Sequence, residues 1–285
     1  MNDKVIAYQG VEGAYSHLAC KNSFPRSISI ACESFENAMK LVETQTADFA
    51  MIPVENSTAG RVEEIYRLIP KLSLYIVKEH FEPVNHCLLG IKGSKLEDVK
   101  FVGSHPQALA QCYKNIIDLD LTAVAKFDTA GSAQEVSEKN DVMYGAIASK
   151  LAAKLYNLEI LQENFSDLRG NVTRFIILSR ENIIPEFEED KTYITSLIFQ
   201  VRDIPAALFK ALGGFATNGV NLLKLESYST TGSLQVSRFH IDIEAHPSEK
   251  KLKLALEELS FFAHEIKHLG VYEKNPLRDE YKLLQ

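Results

Sequence analysis

The stretch "DFAMIPVENSTAGRVEEIYRL" (residues 48–68) passes from a short apolar segment through a polar turn into an amphipathic one. "DFAMIPV" reads as a strand and "ENSTAG" as a turn. Beyond them Val62, Ile65, Tyr66 and Ile69 follow the i, i+3, i+4, i+7 spacing of a helix with one buried face. The same grammar governs the flanking chain. "KVIAYQG" (4–10) leads through Gly10 and Gly13 into "AYSHLACKNSF" (14–24). "VKFVGS" (99–104) meets Pro106, suited to a first helical position, and Leu109, Cys112, Tyr113 and Ile116 mark one face. "AVAKFD" gives way to "TAGSAQEV" (129–136), and "YGAIAS" to "KLAAKLYN" (150–157). Alternating strands and helices predict an α/β fold with mostly parallel sheets covered on both faces. Small ligands of such folds bind beyond the carboxyl ends of the strands, the edge where these turns fall. Each turn taken alone also serves to cap its helix.

Near residue 185 the pattern changes. Pro185 and "EFEEDK" read as an exposed acidic linker. After it come "TSLIFQV", a helix starting at Pro205, the extended "NLLKLESYST", a Gly-containing turn, "SLQVSRFHIDIEAH", the helix "SEKKLKLALEELSFFA" and the strand "EIKHLGVYE". This is the ferredoxin-like βαββαβ order, expected as a second domain with its own core.

Composition narrows the possibilities. With 285 residues, 46% hydrophobic and 24% charged, a packed globular fold is expected. The N-terminus lacks the layout of a signal peptide, and no apolar run approaches a membrane span, so a soluble cytoplasmic protein is expected. A formal charge of −7 with scattered lysines and arginines argues against a nucleic-acid surface. Cys20, Cys32, Cys87 and Cys112 form no C-x-x-C pair and read as buried thiols. No histidine pattern signals a metal.

In "SDLRGNVTRFIILSRENIIP" (166–185), Thr173 and Arg174 stand directly against the apolar run Phe175–Leu178. They are either the polar start of a strand or the lining of a site at its edge.

Taken together, "YQGVEGAYSHLA", "PVENSTAGRVEE", "HCLLG", "GSHPQALAQC", "FDTAGSAQEV", "AIAS" and "NVTRFIILSR" stand in the order and spacing of the prephenate dehydratase family, which the chain resembles over nearly its whole length. The resemblance implies a two-lobed catalytic domain over 1–182, similar to periplasmic binding proteins, with the second lobe at about 78–160. It also implies an ACT regulatory domain over 193–275. The implied reaction converts prephenate to phenylpyruvate with loss of water and carbon dioxide, in phenylalanine synthesis. Aromatisation drives it, and no redox cofactor, Schiff base or metal is required. The family's Thr-Arg-Phe motif falls on Thr173, Arg174 and Phe175. Thr173 is then the catalytic residue, as a directed hydrogen-bond donor to the departing hydroxyl or a relay through water. Arg174 would fork onto a substrate carboxylate, and Phe175 would pack the cleft floor. Asn56, Ser57 and Thr58 carry over as substrate-binding residues. Glu55 is ambiguous, since an ionised carboxylate would repel a dianionic substrate. His86 and Ser104 lie where the other lobe faces the cleft. The first turn departs from the family, with Val11 for proline and Ala14 for threonine or serine, leaving Ser16 as its hydroxyl.

The ACT resemblance implies a phenylalanine site at a dimer interface, with Ala206, Ala207 and Leu208 on one turn and Glu226 and Ser227 on another. Asn221 would cap the ligand's amino group. Ala206 replaces a glycine, and Tyr228 and Ser229 replace an arginine and a proline, so the strength of inhibition stays open. A homodimer or homotetramer is expected. No mutase segment stands ahead of residue 4, so a monofunctional chain is expected. Arogenate dehydratase, whose substrate carries an amino group in place of the keto group, is the alternative activity. A non-catalytic amino-acid sensor is the alternative outside enzymes.

Overall fold

The computed structural model describes residues 3–229 and 236–282. The chain forms two compact units. The first holds the chain up to Tyr66, His80–Ile176 and the chain from Asp279; the second holds Arg67–Glu79 and Ile177–Arg278.

The strands in chain order are β1 (Val5–Gln9), β2 (Ile28–Cys32), β3 (Phe49–Asn56), β4 (Gly60–Arg61), β5 (Tyr75–Pro83), β6 (Cys87–Gly90), β7 (Phe101–Ser104), β8 (Thr122–Ala125), β9 (Tyr144–Ala148), β10 (Glu159–Gln162) and β11 (Val172–Ser179). They build two sheets, ordered β2-β1-β3-β11-β5, with β4 on β3, and β10-β6-β9-β7-β8. Read from the other edge, the second sheet repeats the first: second strand, first strand, third strand, then a strand that belongs elsewhere in sequence. In the first sheet that strand is β11; in the second it is β6, antiparallel to β9. The pairs β1–β2, β1–β3, β7–β8 and β7–β9 are parallel, as the strand–helix alternation predicts. Ile6, Ala7, Tyr8, Ala50, Met51 and Ile52 are fully buried, because helices cover both faces of a parallel sheet.

Two helices differ from their sequence reading. The helix after β4 is short, Glu63–Leu68, and tightens into a 3₁₀ turn at Ile69–Lys71, where Pro70 removes a backbone donor. The segment from Pro106 breaks at Cys112 into helices Pro106–Gln111 and Tyr113–Asp118. The break turns Tyr113 outward to 63% exposure, although its spacing placed it on the buried face.

In the second unit β12 (Tyr193–Val201), helix Ala207–Thr217, β13 (Asn221–Ser229), β14 (Val236–Glu244), helix Lys250–Phe262 and β15 (Ala263–Glu273) give the βαββαβ order. The sheet is antiparallel, ordered β13-β14-β12-β15. Strand alternation sends Leu197, Phe199, Ile241 and Ile243 into one core with Ala211, Phe215, Leu252 and Leu259 of the two helices. The Gly-containing turn expected between β13 and β14, at 230–235, lies outside the described residues. The segment Arg67–Glu79 is tied to this unit: Lys267 Nζ donates to the carbonyls of Pro70 (3.2 Å) and Leu72 (2.5 Å). A side chain at Gly270, whose φ is +154°, would stand 2.0 Å from the Ile76 carbonyl oxygen. Glu79, fully buried, receives Arg278 on both carboxylate oxygens, at 3.1 and 2.5 Å. The linker's Pro185 carbonyl accepts from His246 Nε2 at 3.0 Å.

Candidate active site

A cleft of about 470 Å³ opens in the first unit where the carboxyl ends of its strands meet. Its walls come from the turns that follow β1 (Tyr15, Ser16), β3 (Asn56, Arg61), β7 (His105, Gln107, Gln111) and β8 (Asp128, Thr129), with Asn171, Thr173 and Phe175 from β11 and the residues before it. This is the edge that parallel α/β topology dictates.

Two contacts fix β11 against the end of β3. Ser57 N donates to the Val172 carbonyl (2.9 Å), and Val172 N donates to Ser57 Oγ (3.0 Å). Two residues back from Ser57, Arg174 Nη1 reaches Glu55 Oε1 at 2.9 Å. Alternation along β11 does the rest. Thr173 and Phe175 face the cleft, whereas Arg174 points to the opposite side, its side chain 4% exposed and ion-paired with the half-exposed Glu55. The expectation that Thr173 and Arg174 share a cleft wall is therefore corrected: neighbours in a strand face apart. Ser57 and Thr58 also stand off the lining; Ser57 serves the β3–β11 junction and Thr58 the side-chain network described next.

That network joins both lobes and has a direction. Asn171 Nδ2 donates to Gln111 Oε1 at 2.9 Å, so the Gln111 oxygen is an acceptor and His86 Nε2, 3.1 Å away, is the donor to it. His86 Nδ1 is then bare and accepts from the Tyr15 hydroxyl at 3.0 Å. Gln111 Nε2 donates to Thr58 Oγ1 (2.8 Å), which donates to Asn56 Oδ1 (2.8 Å). Asn56 Oδ1 also accepts from the backbone N–H groups of Thr58 and Ala59, and Asn56 Nδ2 donates to Asn171 Oδ1 (2.7 Å) and Thr173 Oγ1 (3.0 Å). Thr173 ends the chain as an acceptor, and among the described residues its own hydrogen has no acceptor. That hydrogen is left to the cleft.

The titratable members are held neutral. Burial pushes the His86 imidazole below its ordinary value against the opposing pull of Gln111, and burial pushes the Tyr15 phenol well above its own. His86 thus lies in the site, as the sequence placed it. Ser104 does not: fully buried, it donates to the Ile147 carbonyl at 2.6 Å. Ser16 lines the cleft, and Ala14 sits at the N-cap of its helix with no side-chain cap. Gln111, Asn171, Tyr15, Arg61 and Asp128 were not singled out from sequence. Asn171 had a signal, since it stands two before Thr173 and so on the same strand face. Gln111 had none, because the break at Cys112 obscures its helical phase.

In the second unit, Ala206–Leu208 open the helix Ala207–Thr217, at the sheet end where Glu226 and Ser227 approach the end of the edge strand β13. Asn221 starts β13 at the other end, donating to Glu244 Oε2 at 3.0 Å, so one chain does not bring it to the other five. Among the described residues no group of three or more His, Cys, Asp or Glu could hold a metal, and no helix is long and apolar enough to cross a membrane. All four cysteines are buried free thiols.

A two-lobed α/β cleft with a hydroxyl-ended polar relay, followed by a βαββαβ module, defines the class of protein. The family model described as prephenate dehydratase matches residues 6–183. A bifunctional N-acyl-homoserine lactone acylase/prephenate dehydratase of Komagataeibacter europaeus is 46% identical over 280 residues, 97% of this chain and 98% of that one. The chloroplastic arogenate dehydratase/prephenate dehydratase 1 of Arabidopsis thaliana is 42% identical, over 96% of this chain and 73% of that one. The solved prephenate dehydratase of Arthrobacter aurescens, in complex with L-Phe, matches with a TM-score of 0.86 at 29% identity, over 95% of this chain and 90% of that one. The chain belongs to the prephenate dehydratase family.

Proposed function

We propose that the chain converts prephenate to phenylpyruvate, with Thr173 as the catalytic hydrogen-bond donor. The observation that carries this reading is the Thr173 hydroxyl, which lines the cleft and accepts from Asn56 at 3.0 Å, with no acceptor among the described residues for its own hydrogen. The ring hydroxyl of the substrate is a poor leaving group near neutral pH, and a positioned donor accelerates its departure by about 10²–10⁴-fold. Each amide of the relay polarises the next, so a weakly acidic alcohol becomes a better donor than it is in water. As the ring C–O bond breaks and hydroxide leaves with the Thr173 hydrogen directed to it, the electron pair of the bond between the ring and its carboxylate enters the ring and carbon dioxide departs. Phe175 and Val84 give the aromatising ring an apolar wall. Asn56, Asn171 and Gln111 position the donor; Thr58 acts through Asn56 and Gln111, and Ser57 through the β3–β11 junction. Arg174 acts through Glu55 on the β3–β11 junction, and Arg61, ion-paired with Glu63 at 2.6 Å, is the cation of the lining that would exchange that partner for a substrate carboxylate. Turnover of prephenate, followed by phenylpyruvate absorbance, tests the reading; wild-type protein that forms none would end it.

We assign the catalytic domain to 1–182 and an ACT regulatory domain to 193–275, which takes phenylalanine between two copies through Ala206, Ala207, Leu208, Asn221, Glu226 and Ser227. The separation of Asn221 from the other five within one chain supports a site completed by a second copy, in a homodimer or homotetramer. A cytoplasmic location agrees with four free thiols. Calorimetry with phenylalanine tests the regulatory part.

We do not extend acylase activity from the Komagataeibacter relative. The second unit does bring Ser196, His240 and Asp242 together, with Ser196 Oγ 2.8 Å from His240 Nε2. Asp242 Oδ1, however, accepts from Ser196 Oγ at 2.7 Å rather than from His240 Nδ1, and all three are buried. Activation of a serine needs the carboxylate on the far imidazole nitrogen.

A further inference from the structure

We propose a second ligand site in the first unit: a pocket between β9, β7 and β8 and the helix Thr129–Lys139 that takes a small aromatic carboxylate. The pocket encloses about 130 Å³, and none of the residues that line it lines the catalytic cleft. Strand alternation makes its floor. Phe101 and Gly103 share one face of β7, Val124 of β8 lies beside Gly103, and Tyr144 of β9 lies beside Phe101. Above them the helix presents Ser132, Val136 and Lys139 at the i, i+4, i+7 spacing of a single face.

Size, charge and one buried hydroxyl set the ligand class. An apolar cavity of roughly 150 Å³ holds a benzene ring. Val124 and Val136 give this one apolar sides, and Phe101 and Tyr144 stack at its edge with ring centroids 5.0 Å apart. The charged side chains of the lining are Lys126, Glu135 and Lys139. Lys126 is paired with Glu135. Lys139 has no carboxylate partner among the described residues, and its ammonium stands over the Tyr144 ring, 2.9 Å from the centroid. One cation is thus left uncompensated beside an aromatic face, which suits a ring that carries one negative charge.

Ser132 is 1% exposed, and its Oγ has no hydrogen-bond partner among the described residues. A buried hydroxyl left unpaired in a pocket wall calls for a partner that the chain does not supply. The strand is bare where this hydroxyl approaches: a side chain at Gly103 would stand 2.5 Å from Ser132 Oγ and 3.3 Å from Lys126 Cγ. The flexible stem of Lys126 is therefore what closes the pocket over the hydroxyl. Ser132 and Lys139 are two turns apart, about 10 Å along the helix axis. A ligand that meets both is polar at its two ends and apolar between them, the form of a benzoate with a hydroxyl opposite its carboxylate.

Isothermal titration calorimetry with 4-hydroxybenzoate tests the assignment, with benzoate and the uncharged 4-hydroxybenzamide as comparisons. The proteins are wild type, Lys139→Gln, Ser132→Ala and, in the cleft, Arg61→Gln, with melting temperatures alongside. Wild-type protein binds one 4-hydroxybenzoate per chain with a Kd of about 1 mM or lower. The amide binds about tenfold more weakly, and Lys139→Gln weakens 4-hydroxybenzoate by a similar factor, the loss of a hydrogen bond between charged groups. Ser132→Ala weakens 4-hydroxybenzoate by about 2–10-fold and leaves benzoate unchanged, a difference that a merely structural serine would not produce. Arg61→Gln binds as wild type does. No saturable heat up to about 10 mM, equal affinity for acid and amide, or native affinity in Lys139→Gln overturns the site. Binding lost in Arg61→Gln would place the acid in the cleft and overturn it as well, and equal losses of both acids in Ser132→Ala would overturn the role of the hydroxyl.

Discussion

Asn56 Nδ2 stands 3.0 Å from Thr173 Oγ1, joining two residues 117 positions apart in sequence and placing the last donor of a one-way hydrogen-bond chain against a hydroxyl. The hydroxyl is oriented by what it accepts. Replacing Thr173 with alanine removes the donor and leaves a β11 whose apolar packing is unchanged. Thr173→Ala should lower kcat by about 10²–10⁴-fold with little shift in melting temperature, and Thr173→Ser should retain part of the activity. Turnover by purified Thr173→Ala at the native rate would remove Thr173 from the mechanism.

Gln111 accepts from His86 and Asn171 and donates to Thr58, so it sets the direction of the relay. Gln111→Leu breaks that order, removing the partner shared by Asn171 and Thr58 on either side of Asn56. A fall in kcat of about tenfold or more, with KM changed less, is expected for lost preorganisation. A variant whose KM alone rises would make Gln111 a binding residue instead.

His86 titrates abnormally, and the sign follows from its burial. Its folded value lies below the ordinary 6.5, so as pH falls the unfolded state takes up the proton first. The stability it contributes is complete above about 6.5 and declines as pH drops toward the folded value. Protonation also removes the Nδ1 acceptor from Tyr15, so kcat should fall over the same range. In His86→Asn the acid limb of the kcat profile and part of the slope of melting temperature against pH should flatten. An unchanged limb would show that another group titrates.

Arg174 is buried against Glu55 and off the cleft, so its loss should be read first as folding energy. Removing one partner of a buried ion pair costs about 3–5 kcal/mol; the half-exposed Glu55 places Arg174→Ala at the low end. Thermal unfolding should show it, with KM for prephenate near the native value. A raised KM at native stability would put the guanidinium on the substrate.

Ala206 sits at φ +56°, a left-handed conformation that costs a residue with a side chain roughly 1–2 kcal/mol. Ala206→Gly relieves that strain but gains freedom in the unfolded chain, for a net stabilisation of up to about 1 kcal/mol. Equilibrium denaturation checks it, and a destabilised variant would show that the methyl group packs usefully.

The alternation of strands and helices, the second unit's βαββαβ order and the meeting of "ENST" with "NVTRF" were legible in sequence, because each rests on local periodicity or a contiguous motif. Arg174 was misjudged by reading a motif as a single functional surface, when the two-residue period of a strand already separates it from Thr173. Arg61 ends the two-residue strand β4 and Asp128 caps a helix, and a residue in such a short connection looks the same in sequence whether or not it faces a cleft. Gln111 is brought to the site by a helix break that the periodicity of Leu109, Cys112, Tyr113 and Ile116 concealed.

The strand that completes the first sheet, β11, is made long after its neighbour β3. During synthesis the flank of β3 emerges from the ribosome bare and waits, at about 5–20 residues per second, some 6–25 s for its partner. An unpaired flank of that kind templates association with other chains. The nascent polypeptide therefore carries an aggregation hazard at the place where the Thr173 hydroxyl will later dock, and holdase chaperones should engage it most strongly before residue 179 is out.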